Sequence, residues 1–176
     1  MRTMRSSDIV HGLAAEFTEL WRGTLSALTD PGCPPPDWSP APATADAVPT
    51  MAVRDGPKLN STSVIVRHLS GANRFWVGEL VGGIPSGRDR SLEFAGAGLS
   101  RDELLEEVAR AREVVNTTLA RLRDEELTGV AHPLLKAGRP VSRLYCILHA
   151  LTHHAHHNGQ LVLLRRLWSE GDVSGR

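Results

Sequence analysis

The chain has 176 residues, enough for one domain and few for two, and its 41% hydrophobic and 23% charged residues are the balance of an ordinary globular protein. Twenty basic residues offset twenty acidic ones, so no charge excess drives counterion release and a nucleic-acid partner is not expected. No apolar run reaches the length of a membrane span, and Met1 to Leu20 is interrupted by Arg2, Arg5, Asp8, Glu16 and Glu19, so neither a membrane partner nor a signal peptide is expected. Two cysteines, Cys33 and Cys146, make no disulfide framework, and reduced thiols in a cytoplasm fit them.

Ile9, Leu13, Phe17, Leu20, Thr24 and Leu28 recur at three- and four-residue spacing and predict a first helix over residues 8–28. Ser6 or Ser7 can cap it, and Pro31 and Gly32 stop it. From Cys33 to Pro57 seven prolines exclude a helix or a central strand and leave a long connection. A second helix begins at Asn60 or Ser61, carries Val64, Ile65, His68, Leu69, Ala72, Phe75, Trp76 and Leu80 on its apolar side, and ends at Gly82 and Gly83. A charged loop follows, in which Arg88, Asp89, Arg90 and Glu93 either bind an anion or pair with one another and cap helix ends. Ser100 and Glu103 form a capping box for a third helix over residues 101–124, with apolar positions Leu104, Leu105, Val108, Ala111, Val115, Leu119 and Leu122. After a connection over residues 128–140, a fourth helix runs from about Val141 to Ser169, with Gly171 as its terminator. The expected fold is a single all-α domain spanning residues 1–176, a four-helix bundle with a long Pro-rich loop between helices 1 and 2.

Five of the eight histidines lie between His149 and His157. On a helix His149, His153 and His157 share one stripe, with His156 on the same broad side, and successive members stand roughly 5–6 Å apart in rise. Two imidazoles at i and i+4 can converge on one ion but a third, two turns away, cannot, so the stripe offers His149 with His153 or His153 with His157. A further ligand must come from another element, and His68, in the middle of the apolar face of helix 2, is the candidate. Three neutral imidazoles leave a coordination position open and favour Zn, Ni, Fe or Cu over Mg or Ca. Gly71, about one turn beyond His68, would leave room above the ion for water or substrate. No acidic residue lies beside the stripe in sequence to hold an imidazole from behind. Cys146 is roughly 10 Å from His153 in rise, too far to share its ion, and reads as a small buried hydrophobe. His11, His132 and Cys33 carry no assignment.

The segment Leu148–Leu167, LHALTHHAHHNGQLVLLRRL, and the segment Asn60–Phe94, NSTSVIVRHLSGANRFWVGELVGGIPSGRDRSLEF, together resemble the DinB-like superfamily of metal-binding four-helix bundles. The closer resemblance is to a branch with an N-S start, an H-L-x-G-N-type helix 2, a G-G-x-x-x-x-R-D-R-x-x-E-F loop and an H-x-x-x-H-x-x-H-H-x-G-Q helix 4. The resemblance implies one metal held by His68, His153 and His157, which selects the second register, and leaves His149 and His156 behind the ligands or in the pocket wall. It also implies metal-dependent chemistry on a small molecule. The first expectation is a thiol S-transferase, in which a divalent Zn or Ni ion activates mycothiol or another low-molecular-weight thiol against an electrophile. Hydrolase, isomerase and non-catalytic binding are the alternatives. A homodimer is implied as well. The chain departs from the branch at Gly71-Ala72-Asn73, where Gly-Asn is expected, and at Thr152, where an acidic residue is expected.

Overall fold

The computed structural model describes residues 8–40, 60–94, 98–131 and 140–173. The Ser6 and Ser7 caps, most of the Pro-rich connection and His132 lie outside the described residues. The described residues are mostly helical and contain no strand, only an isolated bridge between Val130 and Ser142. Helix α1 spans Asp8–Thr29, α2 Thr62–Asn73, α3 Arg90–Phe94, α4 Arg101–Arg121 and α5 Arg143–Val173. A π-helical segment, Arg74–Glu79, continues α2, and a 3-10 turn, Asp124–Glu126, follows α4. Among the described residues no helix is long and apolar enough to cross a membrane.

Local chemistry sets these boundaries. Ser61 caps α2 by accepting from the Val64 amide. At α4 the predicted capping box is complete: Ser100 Oγ accepts from the Glu103 amide at 3.3 Å, and the Ser100 amide donates to Glu103 Oε2 at 2.7 Å. Gly32 takes φ 80° just past α1, a conformation glycine reaches without steric cost. Gly171 does not end α5, which stays helical to Val173. A lone glycine costs a helix only about 1 kcal/mol relative to alanine, too little to stop one this long.

Helix α2 packs against α4 and α5, and α1 packs against the same two helices. Their shared core holds Phe17, Trp21, Leu28, Val66, Leu104, Val108, Val115, Leu119, Ile147 and Leu164. In α1 the expected stripe is displaced by one residue at its start: Ile9 is exposed and Val10 is buried. Helix α2 is the most enclosed element, with Arg67 alone among Thr62–Asn73 not buried. That enclosure puts its polar residues, His68, Ser70 and Asn73, inside the protein.

Candidate metal centre

His68 projects from α2 toward α5, where His153 and His157 sit one turn apart. The Nε2 atoms of His68 and His153 lie 3.1 Å apart, and those of His157 and His153 lie 3.2 Å apart. The three residues offer ligand atoms all within 4.8 Å of one another. A tetrahedral ion about 2.0–2.1 Å from each nitrogen would set the nitrogens about 3.3 Å apart, close to both spacings to His153.

The opposite ring nitrogens show why these atoms are free to ligate. His68 Nδ1 lies 2.9 Å from Glu93 Oε2, and His157 Nδ1 lies 2.8 Å from Gln160 Oε1. Both partners are acceptors, so each neutral ring donates its N–H from Nδ1 and leaves a lone pair on Nε2. Two such lone pairs face His153 Nε2 across about 3 Å, a place for the proton of that ring or, in its stead, for a cation. His153 Nδ1 is buried without a protein hydrogen-bond partner. Burial, reinforced by the charges of His157, His68, His149 and Arg88, pulls the His153 imidazole down to about 3, and burial also lowers His157 against the opposing hydrogen bond it donates to Gln160. Neutral rings are the form that binds metal.

The contact of Glu93 with His68 is what the sequence does not reveal. Glu93 reaches His68 from α3, 25 positions along the chain, and is buried. Arg88 donates to both of its oxygens, from Nε to Oε1 at 2.6 Å and from Nη2 to Oε2 at 2.9 Å. Burial pushes the Glu93 carboxyl up, but the hydrogen bonds and charges of His68 and Arg88 outweigh it and hold the group below the usual carboxylate range. The expected pairing within the charged loop therefore occurs, and Asp89 caps α3 by accepting from the Ser91 amide at 2.9 Å. What the sequence conceals is that the Arg88–Glu93 pair is aimed at a histidine.

The remaining candidates separate. His149 is half-buried, its ring 4.1 Å from that of Trp76 and roughly parallel to those of Tyr145 and His153. Burial lowers its pKa. His156 is exposed and faces Gln160 Nε2 at 3.1 Å, so it stands behind His157 through the glutamine. Gly71 does not open a space for water or substrate as the sequence suggests, because its missing side chain is replaced by the carboxylate of Glu93. Cys146 is fully buried beside Leu80 and Ala131, and burial raises its thiol to about 11. His154, between the two helix-α5 ligands, turns the other way. Its Nε2 lies 2.9 Å from Thr24 Oγ1, its Nδ1 lies 3.4 Å from Asn73 Nδ2, and the Trp21 ring packs edge-on at 4.4 Å. Asn73, at the position where the chain departs from the expected motif, thus serves this core network and not the metal-facing side.

The class these observations define is a helical protein with three convergent imidazoles, two of them oriented by acceptors behind, that could together hold one metal ion. The model of the DinB superfamily matches residues 16–161, and the chain belongs to that superfamily. A crystal structure of a conserved protein from Enterococcus faecalis is similar in fold, with a TM-score of 0.67 and 14% identity over 92% of this chain and 98% of that one. No curated protein matches the chain.

Proposed function

We propose that the protein is a divalent-metal-dependent enzyme that transfers a low-molecular-weight thiol to a small electrophile, built on the four-helix bundle of its superfamily. The observation that carries this reading is the convergence of His68, His153 and His157 Nε2, with the Nδ1 atoms of two rings held by Glu93 and Gln160. Zn or Ni suits an all-imidazole donor set. When bound, such an ion supplies Lewis acidity that brings a thiol or water to its anionic form near neutral pH.

The chain's own residues do the rest. His68, His153 and His157 would hold the site, and the acceptors behind His68 and His157 commit the N–H to Nδ1 and turn Nε2 toward the ion. The half-buried Trp76 ring beside His149 and the exposed Phe94 ring, 4.9 Å from that of His68, give the neighbourhood apolar surface. The carboxylate that reaches the cluster, Glu93, is clamped by Arg88 and occupied by His68, so it is not poised to take a proton from water. That favours thiol transfer over hydrolysis, which calls for a free base. A cytoplasmic setting and a homodimer accompany this reading.

The test uses untagged protein purified without chelator. Metal analysis is expected to find about one divalent ion per chain in the wild type and a large loss in His153→Ala, since two imidazoles alone make a weak site. Metal-loaded protein is expected to accelerate consumption of a low-molecular-weight thiol by an alkylating bimane probe. Bound metal without thiol consumption would reduce the protein to a metal-binding bundle or point to hydrolysis or isomerisation. Full metal occupancy in His153→Ala would reject the ligand set.

A further inference from the structure

Gly71 lies one turn beyond His68 on α2, the spacing that puts two residues on one face of a helix. A Cβ built at Gly71 would stand 2.1 Å from Glu93 Oε1 and 3.0 Å from Glu93 Cδ, so the glycine forms a notch that the carboxylate fills. The other end of the loop is fixed as well: the Ser86 amide donates to Glu79 Oε2 at 3.0 Å and the Ile84 amide to the Gly78 carbonyl at 2.9 Å. Glu93 is therefore delivered through a gap of one missing methyl, between an anchored loop and a buried helix, and its Oε2 arrives 2.9 Å from His68 Nδ1.

We propose that Glu93 is a positioning residue for His68, admitted by Gly71 and steadied by Arg88, and that this assembly sets how tightly the three-histidine site holds its metal. The proposal rests on the metal reading above. A carboxylate accepting from Nδ1–H fixes the tautomer, stops the ring from flipping and makes Nε2 a better donor. Of the three ligands, His68 alone has an anionic acceptor behind it. His157 has a neutral amide oxygen, and His153 has no protein partner at Nδ1. His68 is thus the ligand whose donor strength is controlled from the loop.

A purely structural role, with the Arg88–Glu93 pair stapling the loop to α2, makes a different prediction, and two variants separate the two. Gly71→Ala adds a good helix former but expels the Glu93 carboxylate, whose flexible end can move away. Glu93→Gln keeps the shape and removes the charge. Zinc affinity is measured on untagged protein by competition with a chromophoric chelator, with circular dichroism as the check on folding. Each variant is expected to bind zinc about 10–100-fold more weakly than wild type while remaining helical. The double variant is expected to fall well short of the product of the two losses, because both act on one contact. In metal-free wild type, nitrogen-edited NMR is expected to find the His68 proton on Nδ1 and shifted downfield by its carboxylate partner. Both variants are expected to lose that downfield position. Wild type that binds zinc, with folded variants that bind it equally tightly or keep the downfield proton, would overturn the positioning role and leave the metal site standing. Wild type that binds no zinc would overturn both.

Discussion

Substituting His154 should change how the metal-free protein responds to acid. The ring has no exposed surface. Its neutral form is satisfied at both nitrogens, against Thr24 Oγ1 and Asn73 Nδ2. Thr24 already donates to Asn158 Oδ1 at 2.8 Å, so its oxygen is available to accept from His154 Nε2–H, and the Asn73 amide can donate to Nδ1. A second ring proton would have to face that amide. Burial, with a smaller push from the charge of His157 and an opposing hydrogen bond to the Leu20 backbone, holds the group at about 3, against 6.5 for an ordinary histidine. The folded pKa of this base is depressed, so below pH 6.5 the unfolded chain binds the extra proton and stability falls, the loss accumulating down to about pH 3. At about pH 5 the cost is about 2 kcal/mol. For a domain of this size that corresponds to roughly 4–8 °C in Tm. The assay is urea or thermal unfolding of wild type and His154→Leu with excess chelator, between about pH 7.5 and 5. His153, also depressed by burial, titrates in both proteins and cancels in the comparison. The variant should lose less stability than wild type across that range, by about 2 kcal/mol, whatever its stability at neutral pH. Parallel acid profiles would refute the assignment of a neutral, proton-refusing His154.

Two further outcomes follow from local geometry. Ser100→Ala removes the acceptor of the Glu103 amide and should cost about 1 kcal/mol, read as a drop of a few degrees in Tm with zinc affinity unchanged, since α4 supplies no ligand. Cys146, buried and with its thiol raised to about 11, should resist iodoacetamide in the native protein near pH 8 and react on unfolding, whereas rapid native labelling at Cys146 would contradict its burial.

What the sequence discloses follows the range of the interactions involved. The α4 capping box lies within three residues and spacing alone locates it, while the start of α2 is read as Asn60 or Ser61 and the structure selects Ser61. The buried faces of α2 and α4 are legible for the same reason, because period 3.6 is written locally. The His68, His153 and His157 set needs one contact between distant elements, and family resemblance supplies it where spacing leaves two registers open. The role of Glu93 behind His68 is beyond either route, though the loop motif includes the residue: it depends on the loop after α2 folding back over Gly71, a tertiary event 25 residues from His68. His154 shows the opposite difficulty. Its immediate neighbour in sequence joins the three-histidine cluster, but one step along a helix turns a side chain by about 100°, and what awaits it there is the Thr24–Asn73–Asn158 network of the core. The displaced stripe in α1 has a similar origin, since Ile9 and Val10 are both apolar and only packing decides between them.

The π-helical segment carries a consequence for comparing relatives. Its i to i+5 bonds, Leu80 amide to Phe75 carbonyl and Gly82 amide to Val77 carbonyl, both at 3.0 Å, spend one residue more per turn than an α-helix does. Upstream of it, His68 and Asn73 address α5. At its end and just beyond, Gly78 and Gly82 press on α4, where added Cβ atoms would meet Val114 Cγ1 at 2.4 Å and Thr118 Oγ1 at 2.6 Å. The two stretches hold separate angular phases, each answering to its own neighbour. An ancestor or descendant lacking the surplus residue would keep its histidine aligned and its glycines seated, and an alignment of such chains belongs with its single gap between Arg74 and Glu79 and nowhere nearer the ligand.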